Sequence, residues 1–359
     1  MGRQKRELRG NLCRAGGQAL GLEQAGFEAS VLVEIDVQAC NTLRLNRPTW
    51  NVQETDVKLF SAAPYRGIEL LAGGVPCPPF SIAGKQLGAD DERDLFPEAI
   101  RLVDEARPIA VMLENVRGFL DVGFAAYRDA LKTQLKALGY VSDIKLLQAS
   151  DYGVSQLRPR VVIVAVQHPY SEHFSWPRPS TEVPVPVGIL LSDLMGVNGW
   201  RLTEQWVQRA SAIAPTIVGG SKKHGGPDLG PTRAKKAWAQ LSVDGHGIAD
   251  KAPAFDFEGM PRLTTRMVAR IQGFPDSWQF SGRKTAAYRQ IGNAFPPPVA
   301  AAVARQLQHT IRASRRVFAI REAAAGAIHP GKAKAHGLNS VNIFWRMSEK
   351  LCHQRNYVR

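Results

Sequence analysis

The sequence predicts an α/β fold with a parallel sheet at its core and a second, smaller and more irregular domain. Over the first half, short apolar runs ending in glycine or acid alternate with stretches of helical spacing. A proline-rich stretch, WPRPSTEVPVPVG (176–188), then breaks that rhythm. Helical spacing returns from residue 261. Strands that alternate with helices are joined by crossovers and so lie parallel. Ligands of such sheets bind beyond the carboxyl ends of the strands.

Each element follows in order. ASVLVEID (29–36) is a β-rich run ending in acids, and IELLAGGVPC (68–77) is an apolar run ending in glycines. RDLFPEAIRLVDEA (93–106) carries apolar residues at helical spacing. IAVMLENV (109–116) is a strand ending in polar groups, YRDALKTQLKALGY (127–140) an amphipathic helix closed by Gly139, and RVVIVAV (160–166) a buried strand. RELRGNL (6–12), by contrast, makes a poor buried strand. Residues 180–258 have few continuous apolar runs. They include VGGSKKHGGPDLGPTRAKKAW (218–238), rich in glycine and lysine. LTTRMVARIQGF (263–274) is helix-like, and NAFPPPVAAAVARQLQHTIRA (293–313) is a helix with prolines at its start, where they are tolerated. The expected organisation is a core over 8–175, a smaller domain over 176–260, a return to the core over 261–315 and a poorly ordered basic tail over 316–359.

Composition narrows the function. The chain has 359 residues, 44% of them apolar, enough for two domains and a sizeable core. Its four cysteines, Cys13, Cys40, Cys77 and Cys352, form no CxxC pair, so neither a zinc site nor a disulfide framework is expected. No apolar run approaches the ~20 residues of a membrane span, and a cytoplasmic protein without membrane partners is expected. The net charge of +14 favours a polyanionic partner, nucleic acid above all, although part of the excess is terminal.

Five stretches could carry chemistry. AGGQALGLEQAGF (15–27), followed by Glu34, suits the close approach of a nucleotide-like ligand. It also suits an ordinary glycine turn, and it is not GxGxxG, because Arg14 stands where a first glycine would. Cys77 lies in GGVPCPPFS, after a strand and between two prolines that fix the backbone on either side. A lone cysteine is more often packing, but a held thiolate nucleophile needs such a rigid setting. Glu114, in ENV, is a surface residue, a cap or a catalytic acid. QLRPR (156–160) is a charged strand edge or a site for carbonyl and phosphate oxygens. PRLTTRMVARIQGFPDSW (261–278) and IGNAFPPP (291–298) look like core-packing helices.

In this order the pieces resemble the DNA cytosine-5 methyltransferases: AGGxxxGLEQAGF, ExD at Glu34 and Asp36, Asp56 in ETDV, PCPPFS, DDER, ENV, QLRPR, RLTTRMVARIQGFPD and GNAFPPP, spanning 15 to about 310. The resemblance implies a Rossmann-like methyltransferase domain using S-adenosylmethionine and a target-recognition domain, with double-stranded DNA as substrate. It implies a cofactor loop of Gly16, Gly17 and Gly21, with Glu34 on the ribose hydroxyls, Asp56 by the adenine and Asn293 completing the pocket. It gives the attack on C6 of a flipped-out cytosine to Cys77, the N3 and N4 edge to Glu114, and the O2 and nearby phosphate to Arg160 and Arg158. Ser81 and Arg93 fall in the family's active-site loop, and Lys222, Lys223 and Arg233 are expected DNA contacts. A monomer is expected, paired in function with a restriction endonuclease acting on the same site. Two departures stand out: Leu12 and Arg14 replace the usual phenylalanine and glycine, and Pro78 stands where glutamine is common in bacterial members. The first leaves open a second reading, a DNA-binding homologue whose damaged cofactor loop no longer supports transfer.

Overall fold

A computed structural model describes residues 7–8, 11–12, 16–75, 94–219 and 226–328, with side chains over 16–75, 94–219 and 226–320. Residues 1–314 form one compact unit and residues 315–359 a second.

The sheet of the first unit has seven strands: β2 (Asn11–Leu12), β4 (Leu32–Glu34), β5 (Val52–Glu54), β6 (Leu70–Gly74), β7 (Ala110–Val116), β8 (Tyr140–Gln148) and β9 (Pro159–Gln167). Their order is β5-β4-β2-β6-β7-β9-β8. Two short strands, β1 (Glu7–Leu8) and β3 (Glu28–Ala29), pair beside it. The chain steps outward from β2 through β4 to β5, then resumes on the other side of β2 with β6. The order therefore reverses at β2, and crevices for ligands open at such a reversal.

The sheet is mixed, not all parallel as the strand–helix alternation implied. β9 runs antiparallel to β7, and β8 antiparallel to β9. β7 and β8 therefore run parallel with β9 between them: the chain crosses over through the helical segment Ala125–Ala137 to reach β8 and then turns back directly into β9. The weakly apolar start of the chain, a poor strand by sequence, still contributes β2 between β4 and β6.

Helix α1 (Gly17–Gln24) follows β2, α2 (Val37–Asn46) follows β4, α3 (Phe96–Ala106) precedes β7, and α4 (Ala125–Ala137) precedes β8. Asp36 caps α2, its Oδ1 accepting from the amides of Gln38 (3.0 Å) and Ala39 (3.2 Å). Beyond the sheet come α5 (Val187–Met195), α6 (Thr203–Arg209), α7 (Thr232–Gln240), α8 (Thr265–Ile271), α9 (Lys284–Asn293) and α10 (Pro297–Ile328). Helix α10 runs on past residue 315, so residues 316–328 of the expected tail are helical. Side chains of 187–248 share one buried cluster with the sheet and with α8 and α9. Val187, Trp206 and Trp238 join Leu20, Leu43, Val268 and Ile291 there.

The two ends of the unit close on each other. The Gln308 side chain donates to Gly26 O at 3.3 Å, across 282 residues of sequence. A Cβ on Gly17 would lie 2.3 Å from Phe295 O, and one on Gly21 2.4 Å from Pro297 O. These glycines are thus required by the packing of α1 on the start of α10. Gly21→Ala is expected to lose about 1–3 kcal/mol, as overpacked sites do. Urea unfolding should show a lower midpoint at an unchanged slope; an unmoved midpoint would mean that α10 yields freely.

Candidate active site

Register brings the acidic and basic candidates together at one end of the sheet. Gly74 on β6 pairs with Glu114 on β7, and Arg160, at the start of antiparallel β9, pairs with Val116. Arg160 Nε lies 2.7 Å from Glu114 Oε1, and their side chains are 11% and 8% exposed. A Cβ on Gly74 would lie 3.3 Å from Glu114 Oε2, so a larger residue there would crowd the carboxylate. Removed from water, the pair attracts strongly, and each charge offsets the desolvation of the other. The Glu114 carboxyl group is therefore held in place beside the Arg160 guanidinium.

The chain leading to Cys77 is tied to the same spot. Val75 N donates to Glu114 O at 3.1 Å, two residues before the cysteine. Cys77 itself, Ser81 and Arg93 lie outside the described residues. Beside Glu114, Asn115 is 2% exposed. Its Oδ1 accepts from Val116 N at 2.7 Å, while its Nδ2 has no partner among the described residues.

Arg158 is not at this surface. It is fully buried, and its guanidinium donates to Ile217 O (2.6 Å), Gly292 O (2.6 Å) and Ala294 O (3.1 Å). Burial, and then the charge of Arg160, push its pKa well down. This corrects the expectation that Arg158 contacts base or phosphate, since its terminal donors already hold backbone oxygens. Two glutamines that the sequence reading passed over complete its surroundings. Gln156 donates to Gln272 Oε1 at 2.5 Å and accepts from Ile217 N at 2.9 Å. Gln272 donates to Ile291 O (3.0 Å) and Ala294 O (3.2 Å). The available signal was an amide residue inside an apolar stretch, as in RIQGF.

The cofactor candidates Gly16, Glu34 and Asp56 follow or end β2, β4 and β5, neighbouring strands at and to one side of the reversal point. Gly16 takes the left-handed conformation (φ 80°) just before α1, with Trp278 and Leu43 packed against it. Glu34 ends β4, and its Oε1 accepts from the amides of Ile35 and Asp36, both at 2.9 Å. Asp56 caps the turn Val57–Leu59 through Lys58 N at 2.9 Å. Asn293 ends α9, with its Oδ1 2.5 Å from where a Cβ on Gly219 would lie. Arg233 is exposed on α7; Lys222 and Lys223 lie outside the described residues. Cys40 is buried and free, with its thiol pushed up to about 11 by burial and by Glu34, so it is a poor nucleophile. Among the described residues no three His, Cys, Asp or Glu side chains gather to hold a metal, and no helix is long and apolar enough to cross a membrane.

The comparisons with known proteins agree with this geometry. The family model of the C-5 cytosine-specific DNA methylases matches residues 12–309. The chain is 58% identical over 296 residues to the type II methyltransferase M.NgoMIV of Neisseria gonorrhoeae, covering 82% of this chain and 94% of that one. It is 56% identical over 300 residues to the type II methyltransferase M.NaeI of Lentzea aerocolonigenes, covering 82% and 72%. The fold matches that of the Schizosaccharomyces pombe (S. pombe) Dnmt2 methyltransferase with a TM-score of 0.57 at 15% identity, over 85% of this chain and 99% of that one. The buried acid–arginine pair at the end of β7, the motif order and these relatives lead to one conclusion: the chain belongs to the C-5 cytosine-specific DNA methylase family and is a DNA cytosine-5-methyltransferase.

Proposed function

We propose that the enzyme transfers a methyl group from S-adenosylmethionine to C5 of a cytosine flipped out of a specific double-stranded DNA sequence, with Cys77 as nucleophile. The observation that carries this reading is the Glu114–Arg160 pair, bonded through Glu114 O to the strand that leads into Cys77. C5 of cytosine is a weak nucleophile, and addition of a thiolate at C6 makes it enamine-like. Carrying a proton when the base is bound, Glu114 donates to N3 and accepts from the N4 amine. That proton passes to N3 as the thiolate adds at C6, which stabilises the adduct, and returns when the thiolate leaves. Arg160 orients Glu114 and reaches O2. After C5 is methylated, a base removes its proton and elimination frees the thiolate. Division of one hard step into two easier ones is the gain of covalent catalysis. Extrusion of the base costs a few kcal/mol, supplied by contacts in the pocket.

The chain's own groups fit the cofactor. The first amides of α1 suit a carboxylate, as helix N-termini do. The tethered Glu34 carboxylate suits ribose hydroxyls, and Ile35 beside it, 65% exposed, offers an apolar face to a ring. When bound, S-adenosylmethionine supplies an electrophilic methyl group on a sulfonium. Gly16, Gly17 and Gly21 set the course of α1, and Asp56 and Asn293 border the pocket. The presence of β2 in the sheet supports an active enzyme over a DNA-binding homologue with a damaged cofactor loop.

Residues 176–260 supply target recognition in this reading, with Lys222, Lys223 and Arg233 on the DNA. The type II names of the relatives support a modification methylase that protects the site of a partner restriction endonuclease. Bisulfite sequencing of host DNA with and without the gene tests the proposal. Protected cytosines should recur within one short sequence only when the gene is present. Identical conversion in both samples would refute it.

A further inference from the structure

Resting on that reading, we infer that Arg158 is a positioning residue that couples cofactor binding to target binding by clamping Gly292–Ala294 onto Ile217–Gly219. A buried guanidinium is a costly way to fill space. Among the described residues no carboxylate lies within ion-pair distance of Arg158, and its Nε has no hydrogen-bond partner. Apolar side chains of similar volume are often as stabilising in such places, so stability alone does not account for the cation.

What Arg158 joins is specific. One terminal nitrogen holds Ile217 O, at the base of the segment that runs on through 220–225 to α7. The other holds Gly292 O and Ala294 O, on either side of Asn293. The two segments touch backbone to backbone. A Cβ on Gly292 would lie 2.4 Å from Gly219 Cα, and one on Gly219 2.5 Å from Asn293 Oδ1 and 2.8 Å from Asn293 N. Gln156 and Gln272, joined at 2.5 Å, brace the same two segments, Gln156 at Ile217 N and Gln272 at Ile291 O and Ala294 O. Tyr288 OH on α9 lies 2.9 Å from Val218 O and 2.6 Å from Asp228 O. No side chain cushions the Gly219–Gly292 contact, and close-packed interiors transmit displacement with little give. A ligand that fixes Asn293 therefore also fixes the base of the recognition segment. Such coupling is reciprocal, so DNA must tighten the cofactor by the same factor. Lysine cannot reproduce the clamp, because a single ammonium lacks the planar fork that spans both segments.

The test measures DNA affinity with and without saturating S-adenosylhomocysteine, on a duplex carrying the site that bisulfite sequencing identifies. In the wild type, S-adenosylhomocysteine should tighten the duplex at least about 5-fold, the lower end of typical coupling. In R158K and in G219A that factor should fall below about 2-fold while each ligand still binds alone. G219A leaves Arg158 in place but drives a methyl group into Asn293, so it decides the matter if R158K proves unfolded by thermal melting. A full factor in a folded R158K, or a wild-type factor of one with both ligands bound, would overturn the inference. A wild type that binds neither ligand would instead sink the methyltransferase reading.

Discussion

Cys77→Ser should lower methyl transfer by about 10⁴-fold or more, in line with removal of a nucleophile elsewhere. The substitution exchanges one atom, the sulfur of the thiol for the oxygen of a hydroxyl. What changes is acidity: a serine alkoxide is far less available near neutral pH than a cysteine thiolate. Affinity for duplex DNA should survive, because it rests on many phosphate contacts made elsewhere. Tritium transfer from labelled S-adenosylmethionine and a gel-shift titration would read the two quantities separately. A serine variant that turns over at the wild-type rate would sink the covalent route.

Glu114→Gln should reduce transfer by about 10²–10⁴-fold, the range for a positioned acid or base. The amide keeps the shape of the side chain and can still accept from Arg160, but it removes the negative charge that faces the guanidinium at 2.7 Å. Glu114→Ala removes the partner altogether, and loss of one member of a buried pair costs about 3–5 kcal/mol. Both variants take the Glu114 counter-charge away from Arg160 and should lower the melting temperature, glutamine less than alanine because it keeps an acceptor and the side-chain volume. The loss of transfer is therefore read on the glutamine variant below its melting temperature. Wild-type transfer by the glutamine variant would remove Glu114 from the mechanism.

The sequence exposed these sites unevenly, for physical reasons. β7 and β9 were legible because strands buried on both faces read as continuous apolar runs, and both fall within a residue of the expected ranges. β8 was not legible: as the outermost strand it leaves Val141 and Leu146 partly exposed and shows no clean alternation. β2 was missed because two residues carry no period. The helices α6 and α7 lie where the sequence shows few apolar runs, since each buries a single large anchor, Trp206 and Trp238. Glu114 and Arg160 were singled out by motif, but that they meet follows only from the sheet register. Arg158 was misplaced because the spacing in QLRPR gives residue types and not depth. Only the fold shows one arginine at the strand end and the other sealed beneath it.

The closure of α1 on α10 has a consequence for how the enzyme is made. Gly26 and Gln308, hydrogen-bonded in the finished unit, are 282 residues apart in the chain. At about 5–20 residues per second, a ribosome takes about 15–55 s to bridge that interval. Throughout it, the face of α1 that carries Gly17 and Gly21 waits for a helix not yet synthesised. A cell that has just acquired the gene therefore gains methylation only after a polypeptide is nearly complete, and the onset of methylation lags the start of translation by at least that delay.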